Sequence, residues 1–287
     1  MVRLCTAADI DQMVELAYRK NNEEAHYSAF CYTRRDKIEE EFTGSIASED
    51  CILIGYFNGN TLQGLLTGFI DYDRRSVDCS GPFAEGDFNE ISKQMFDLMK
   101  SQLPAPMKYI YYFGSKNEDC LSFLQMIGAK DQGNEYILYL QREQFIPFKA
   151  PVQAVPLQTE QQEQFIRLHD AIFPEVYISG KGIIKSLGAD RQVLCIMEGL
   201  EIIAYSVLKT YKRHNKATAE IVAVVEKHRH RGYGRIVLNQ LVQKALEDKT
   251  IDAVDLVVDK VNENALSLYL SMGFKVEREN YSYCINT

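Results

Sequence analysis

The chain has 287 residues, 46% of them hydrophobic and 25% charged, and its 40 Asp and Glu outnumber 32 Lys and Arg for a formal net charge of -8. This length suggests about two domains, each able to bury its own core, and the composition excludes a disordered chain. The acidic balance disfavours nucleic-acid binding and favours a cationic small substrate. No run approaches the roughly 20 apolar residues of a membrane helix, and the start at Met1 carries no apolar export segment, so a cytoplasmic protein is expected.

Residues 2–5 read as a strand and 7–18 as a helix, with Ile10, Met13, Val14, Leu16 and Ala17 at near-helical spacing behind Thr6 as N-cap. A charged and aromatic stretch follows, with a helix at 35–42 that puts Ile38 and Phe42 on one face. Strands 51–57 and 62–72 flank the turn at Asn58, Gly59 and Asn60. A short strand at 76–79, a helix at 88–103, an aromatic strand at 107–113, a short helix and a strand at 134–140 complete this half.

Pro147 and Pro151 then interrupt the pattern, and the order of elements begins again. This places two domains at 1–144 and 152–287. The second half reads as a strand at 152–155, a helix at 159–169, a loop and short helix at 173–187, strands at 193–197 and 202–210, and a strand at 219–225. A gapless internal repeat supports duplication. Asn117, Glu118, Leu121, Ser122 and Gly128 recur in register as Asn262, Glu263, Leu266, Ser267 and Gly273.

Between the strand at 219–225 and an amphipathic run at 236–246 lies a basic turn, Arg229, His230, Arg231, Gly232, Tyr233, Gly234. Its glycines let the backbone curl with N–H groups pointing one way, and the following helix offers unpaired donors and a positive dipole end. That is a phosphate cradle. A dinucleotide-type Gly-x-Gly-x-x-Gly loop and a Walker-type Gly-Lys-Ser/Thr loop are both absent. The cationic neighbours Lys227, Arg229 and Arg231 repel a metal from His228 and His230, so no metal is expected. The seven cysteines are scattered, without a Cys-x-x-Cys pair, and read as reduced small hydrophobes.

The strand, the Arg-x-x-Gly-x-Gly turn opening a helix, and the stretch from Asn262 through Tyr269 to Met272, Gly273 and Phe274 together resemble the GNAT superfamily of acyl-CoA-dependent N-acyltransferases. The likeness is sharp over 219–274 and extends by element order over 152–287. It implies an α/β (α+β) fold in tandem, each copy a mixed, mostly antiparallel sheet flanked by helices. It implies that backbone N–H groups from His230 to Arg235, with the charges of Arg229, Arg231 and Arg235, hold the pyrophosphate of acetyl-CoA. Val222, Ala223 and Val224 match the strand that pairs with the pantetheine arm.

Tyr269 matches the position whose phenol protonates the departing thiolate; the plain alternative is a core aromatic. Asn262 matches a pantetheine contact and is equally a helix N-cap. Glu220, two residues before Val222, reads either as the general base or as an exposed strand-end carboxylate, and period-two alternation puts it on the face of Val222 and Val224. Another base position of some relatives holds Val257 here. The expected activity is acetyl transfer to a primary amine of a small molecule or peptide, by a monomer or homodimer. The reading from another class is a non-catalytic acyl-CoA-binding or protein-interaction module. In the first half Ala84, Glu85, Gly86, Asp87, Phe88 and Asn89 stand where the turn should be, and Leu124 replaces Tyr269. Two carboxylates there repel a pyrophosphate, so this half reads as a degenerate copy without cofactor. Its aromatic segments at 27–32 and 109–113 are either core or a wall of the acceptor pocket.

Overall fold

The computed structural model describes residues 1–174, 176–212 and 215–287. Two compact units divide the chain: Met1–Glu135 with Arg278–Thr287, and Tyr136–Glu277.

In the first unit, β1 (Val2–Leu4) and α1 (Ile10–Asn21) are followed by α2 (Arg35–Ser45), then by β2 (Cys51–Asn58), β3 (Thr61–Asp71) and β4 (Ser76–Ala84). After them come α3 (Phe88–Gln102), β5 (Lys108–Gly114) and α4 (Glu118–Met126). The strands stand in sheet order β1, β2, β3, β4, β5, and β12 (Lys275–Asn286) completes the row. On one face of this sheet Phe96 of α3 and Phe123 of α4 pack against Tyr109 and Tyr111 of β5; on the other, α1 and α2 lie over Leu53, Leu65 and Phe83. The β4–β5 ladder is parallel and runs only from Ser76↔Lys108 to Cys79↔Tyr111.

In the second unit, the row is β6 (Lys130–Gln141, of which the unit takes Tyr136 onward), β11 (Ala253–Asp259), β10 (Lys216–Val224), β9 (Glu201–Tyr211), β8 (Arg191–Glu198) and β7 (Val155–Pro156). The helices are α5 (Gln162–Ile172), α6 (Gly180–Lys185), α7 (Tyr233–Glu247) and α8 (Glu263–Ser271). β10 pairs antiparallel with β9 along its length, but parallel with β11 only over Lys216, Ala217 and Thr218. Beyond Thr218 the β11-facing backbone of β10 has no strand partner among the described residues.

A register shift between Ala219 and Ile221 bulges β10 at Glu220. Ala217 and Ala219 pack on the α7 side, whereas Ile221 and Ala223 pack with Phe165 and Tyr205 on the α5 side. One extra residue in a strand reverses which face the following side chains take.

The repeat is visible in the structure, since Asn117 and Asn262 cap α4 and α8 in the same way. The closing strands differ from the sequence reading. Residues 134–140 were expected to close the first half, but from Tyr136 the chain belongs to the second unit, and Arg278–Thr287 returns to pair with β5 from Asn280↔Gly114 to Asn286↔Lys108. Both stretches are short, alternating and tyrosine-rich, so each fits either sheet by pattern alone. Arg142 helps fix the outcome, because its guanidinium donates to the carbonyls of Leu246, Asp248 and Ile251 at the end of α7. No described helix is long and apolar enough to cross a membrane.

Candidate acyl-CoA site

Gly232 starts α7 with φ +83, in the left-handed region where a Cβ is disfavoured, and open space surrounds it. Glycine is needed there for the turn rather than for room. Because Gly232 has no side chain, the N–H groups of the first turn of α7 receive no side-chain cap. His230 also has positive φ, so the backbone from 229 to 232 coils into a concave run. At Gly234 a Cβ would meet Leu268 at 3.4 Å and Val224 at 3.6 Å, ordinary contact distances, so α7 lies against β10 and α8 here without glycine being needed for room.

A cavity of about 600 Å³ opens in front of this turn. Of the residues expected in the site, Val222, Ala223, Val224, Asn262 and Tyr269 line it, as do Arg229, His230, Gly232, Tyr233, Gly234 and Arg235. Arg231 and Glu220 are not among its described lining residues. The unpaired edge of β10, the uncapped start of α7 and a phenol on α8 therefore share one space.

Tyr269 is 8% exposed and packs against Phe274 with ring centroids 6.2 Å apart. Its hydroxyl makes no hydrogen bond to any described residue. Burial pushes the phenol up to about 12, so it remains protonated through the neutral range. Asn262 caps α8 by accepting from the Ala265 N–H at 3.2 Å, and the residue is exposed beside the cavity. Arg229 donates from Nε to the Val224 carbonyl at 3.3 Å, which ties the turn to the end of β10.

Glu220 lies elsewhere than its spacing suggests. Period-two alternation places it with Val222 and Val224, but the bulge turns it to the α5 side. There Arg191 grips it bidentately, Nε to Oε2 at 2.8 Å and Nη2 to Oε1 at 2.7 Å, and the Tyr177 hydroxyl donates to Oε1 at 2.9 Å. Tyr177 belongs to the loop between α5 and α6; Glu175 of that loop lies outside the described residues. From the same side, Ile172 and Phe173 reach the cavity wall.

Sequence reasoning weighed His228 only as a metal ligand. It is 4% exposed, lines the cavity, and neither ring nitrogen has a hydrogen-bond partner among the described residues. The nearest carboxylate oxygen, of Glu198, is 3.9 Å from Nε2. No group of three His, Cys, Asp or Glu able to hold a metal occurs among the described residues.

The first unit repeats these parts with each one closed off. Asp87 caps α3, accepting from the Glu90 N–H at 3.1 Å where α7 has an empty cap, and Glu85 is paired with Arg19. Leu124, at the position of Tyr269, is fully buried in the core. Asn117 caps α4 like its counterpart, but it is buried and its amide donates to the Tyr27 carbonyl at 3.3 Å. The space between β4 and β5 is filled by the chain itself. Gly114 donates to the Tyr27 carbonyl at 3.1 Å, Ser28 bridges to Phe113, Ala29 donates to the Tyr112 carbonyl at 2.8 Å, and the Ser28 hydroxyl accepts from the Gly81 N–H at 2.9 Å. Residues 27–29 thus lie against the β5 edge as an added strand would. Nothing in the local pattern of that segment signals this, because its partners lie more than fifty residues away.

The acetyltransferase (GNAT) family model matches residues 157–274. The second unit carries a GNAT domain. Solved structures extend this fold over the whole chain at low identity. A GCN5-related N-acetyltransferase from Sphaerobacter thermophilus is similar with TM-score 0.74 and 12% identity, covering 100% of this chain and 95% of that one. A tandem GNAT protein from the clavulanic acid biosynthesis pathway, solved without AcCoA, is similar with TM-score 0.65 and 10% identity, covering 100% and 98%. A glucosamine N-acetyltransferase region of a fungal multi-domain β-N-acetylglucosaminidase gives TM-score 0.70 and 11% identity, covering 99% of this chain and 38% of that one. No curated protein sequence matches the chain. Over the whole chain the fold is therefore similar to that of these GNAT structures, one of them a tandem protein, with mixed, mostly antiparallel sheets flanked by helices.

Proposed function

We propose that the second unit binds acetyl-CoA and transfers its acetyl group to a primary amine of a small molecule or peptide. The observation that carries this reading is the early end of the β10–β11 ladder beside an uncapped helix, with Tyr269 facing the same cavity. The pyrophosphate sits on the N–H groups that follow Gly232, with Arg229 and Arg235 beside it and Arg231 adding charge from outside. The pantetheine amides pair with the open backbone at Val222, Ala223 and Val224, and Asn262 adds an amide contact.

The amine enters from the side of Ile172 and Phe173. Its nitrogen attacks the thioester carbonyl, backbone donors of β10 hold the oxyanion, the C–S bond breaks, and the thiolate takes a proton from Tyr269. Solvent reprotonates the phenol. The proton lost by the amine passes through water to Glu220, which lies on the acceptor side but outside the cavity. To accept it, Glu220 loosens one arm of its pair with Arg191.

Thiol release from acetyl-CoA over a panel of primary amines tests the reading, together with calorimetric titration of coenzyme A. Turnover with at least one amine, coenzyme A binding that survives in Tyr269→Phe, and a rate about 10²-fold lower in that variant are expected. Tight coenzyme A binding without turnover on any amine would instead favour a non-catalytic acyl-CoA-binding module.

A further inference from the structure

The first unit has no acyl-CoA gap, but it has a cavity. About 340 Å³ opens between the segment that follows the plug at 27–29, α2, and the outer parts of β3 and β4. The geometry points to a binding site there for a small organic cation of the alkylammonium class, between the carboxylates of Glu41 and Asp78 and the rings of Phe30, Tyr32 and Phe69. The site is independent of acetyl transfer in the second unit.

The described lining consists of these five residues with Ala29 and Cys31, so it holds two carboxylates and no basic side chain. Burial pushes the Cys31 thiol up to about 12, and the neighbouring Glu41 charge pushes it the same way, so it stays neutral and adds no charge. Arg74 and Asp71 act on Asp78 from outside with opposite signs, after a larger effect of burial that raises its carboxyl. A ligand here must bring the positive charge itself.

Glu41 makes the need specific. Its Oε2 is buried without a hydrogen-bond partner, and burial holds its carboxyl up at about 7. A buried carboxylate oxygen left unpaired is costly, and a cation brought into the cavity beside this carboxylate offsets that cost. The remaining walls are aromatic, which selects an organic cation over a hydrated metal ion, because ring faces attract ammonium groups and offer no ligand atoms.

The wall is also held before any ligand arrives. Asn21, almost fully buried in α1, donates to the carbonyls of Cys31 at 2.8 Å and Tyr32 at 3.3 Å, and Asn22 donates to that of Thr33 at 2.9 Å. Phe30 is set edge-on to Tyr112 at 5.4 Å. A volume of this size matches a short diamine or a quaternary ammonium at the lower end of ligand pockets.

Calorimetric titration of the full chain with putrescine and with tetramethylammonium tests the proposal, with magnesium chloride as the inorganic comparison. At least one of the two amines is expected to bind, about tenfold or more weakly in Glu41→Gln and in Asp78→Asn and measurably more weakly in Tyr32→Ala. Glu41→Gln keeps the shape of the side chain, and Tyr32 and Asp78 are partly exposed, so melting curves will show the variants folded. Amines that also reach the acceptor side of the second unit are told apart by their indifference to Glu41 and Asp78. The proposal is overturned if neither amine binds, if binding survives unchanged in Glu41→Gln and Asp78→Asn, or if magnesium alone binds with the same carboxylate dependence.

Discussion

Placing a carboxylate at the start of α7 should abolish the cradle while leaving the fold intact, and the first unit supplies the design. Asp87 caps α3 by accepting from the Glu90 N–H, whereas Gly232 leaves α7 uncapped. In Gly232→Asp the new residue must adopt φ near +83, at a cost of roughly 1 kcal/mol for a residue that tolerates this region, and a capping carboxylate returns a comparable amount. Stability should change by no more than about 1 kcal/mol.

Binding should change far more. Gly232 is exposed, so each pyrophosphate charge about 5 Å from the carboxylate is opposed by about 1 kcal/mol. Loss of one backbone donor to the intramolecular cap adds about 1 kcal/mol. The total of about 3 kcal/mol corresponds to about a hundredfold weaker coenzyme A binding, and the difference should shrink at high salt. The reciprocal change, Asp87→Gly, should lower stability by a few tenths of a kcal/mol and create no coenzyme A site, because residues 27–29 still fill the β4–β5 space. Calorimetric titration and thermal melting of both variants measure these outcomes. A Gly232→Asp protein that binds coenzyme A within about threefold of the parent would refute the placement of the pyrophosphate.

Three further outcomes follow from the geometry. Since burial holds the Tyr269 phenol up at about 12, it should contribute no alkaline limb to the pH–rate profile below about pH 10, and any limb at neutral pH should persist in Tyr269→Phe. Glu220→Gln should lower kcat by about 10²-fold while sparing coenzyme A affinity, if the carboxylate receives the relayed proton; an unchanged kcat in a folded Glu220→Gln protein would remove it from the reaction. Glu41, whose carboxyl is raised from 4.5 to about 7 in the fold, binds a proton in the folded state that the unfolded chain has lost. Stability should therefore fall as pH rises between these values and level off above about 7, by on the order of 2 kcal/mol after solvent screening. Glu41→Gln should flatten that slope in denaturant melts taken across the window, and a slope equal to the parent's would show that the carboxyl ionises freely in the fold.

Much of the second unit could be read from the chain. The turn at 229–234, the cap at Asn262 and the tyrosine at 269 are short-range patterns, and local spacing dictates their geometry: a glycine with positive φ opens a helix, and an asparagine precedes one. The internal repeat likewise pointed to a shared fold in the first half, and Leu124 with the carboxylates at 85 and 87 marked where the two halves differ. Arg231 matched the motif but lies outside the cavity lining, because the pattern fixes the turn and not the direction of each side chain within it.

What only the tertiary structure decided depends on partners distant in sequence. The alternation of residues 134–140 and 280–286 describes a half-buried strand without saying which sheet receives it, so the assignment of β6 and β12 was settled by long-range pairing and by Arg142 on the end of α7. Strict alternation put Glu220 beside Val222, and one bulged residue moved it to Arg191 and Tyr177. The sequence determined which helix opens on an uncapped glycine, at Gly232, and which opens on a capping carboxylate, at Asp87. The fold decided that the β4–β5 space of the first unit is closed by its own residues 27–29, because an open strand edge takes whichever backbone the rest of the chain brings to it.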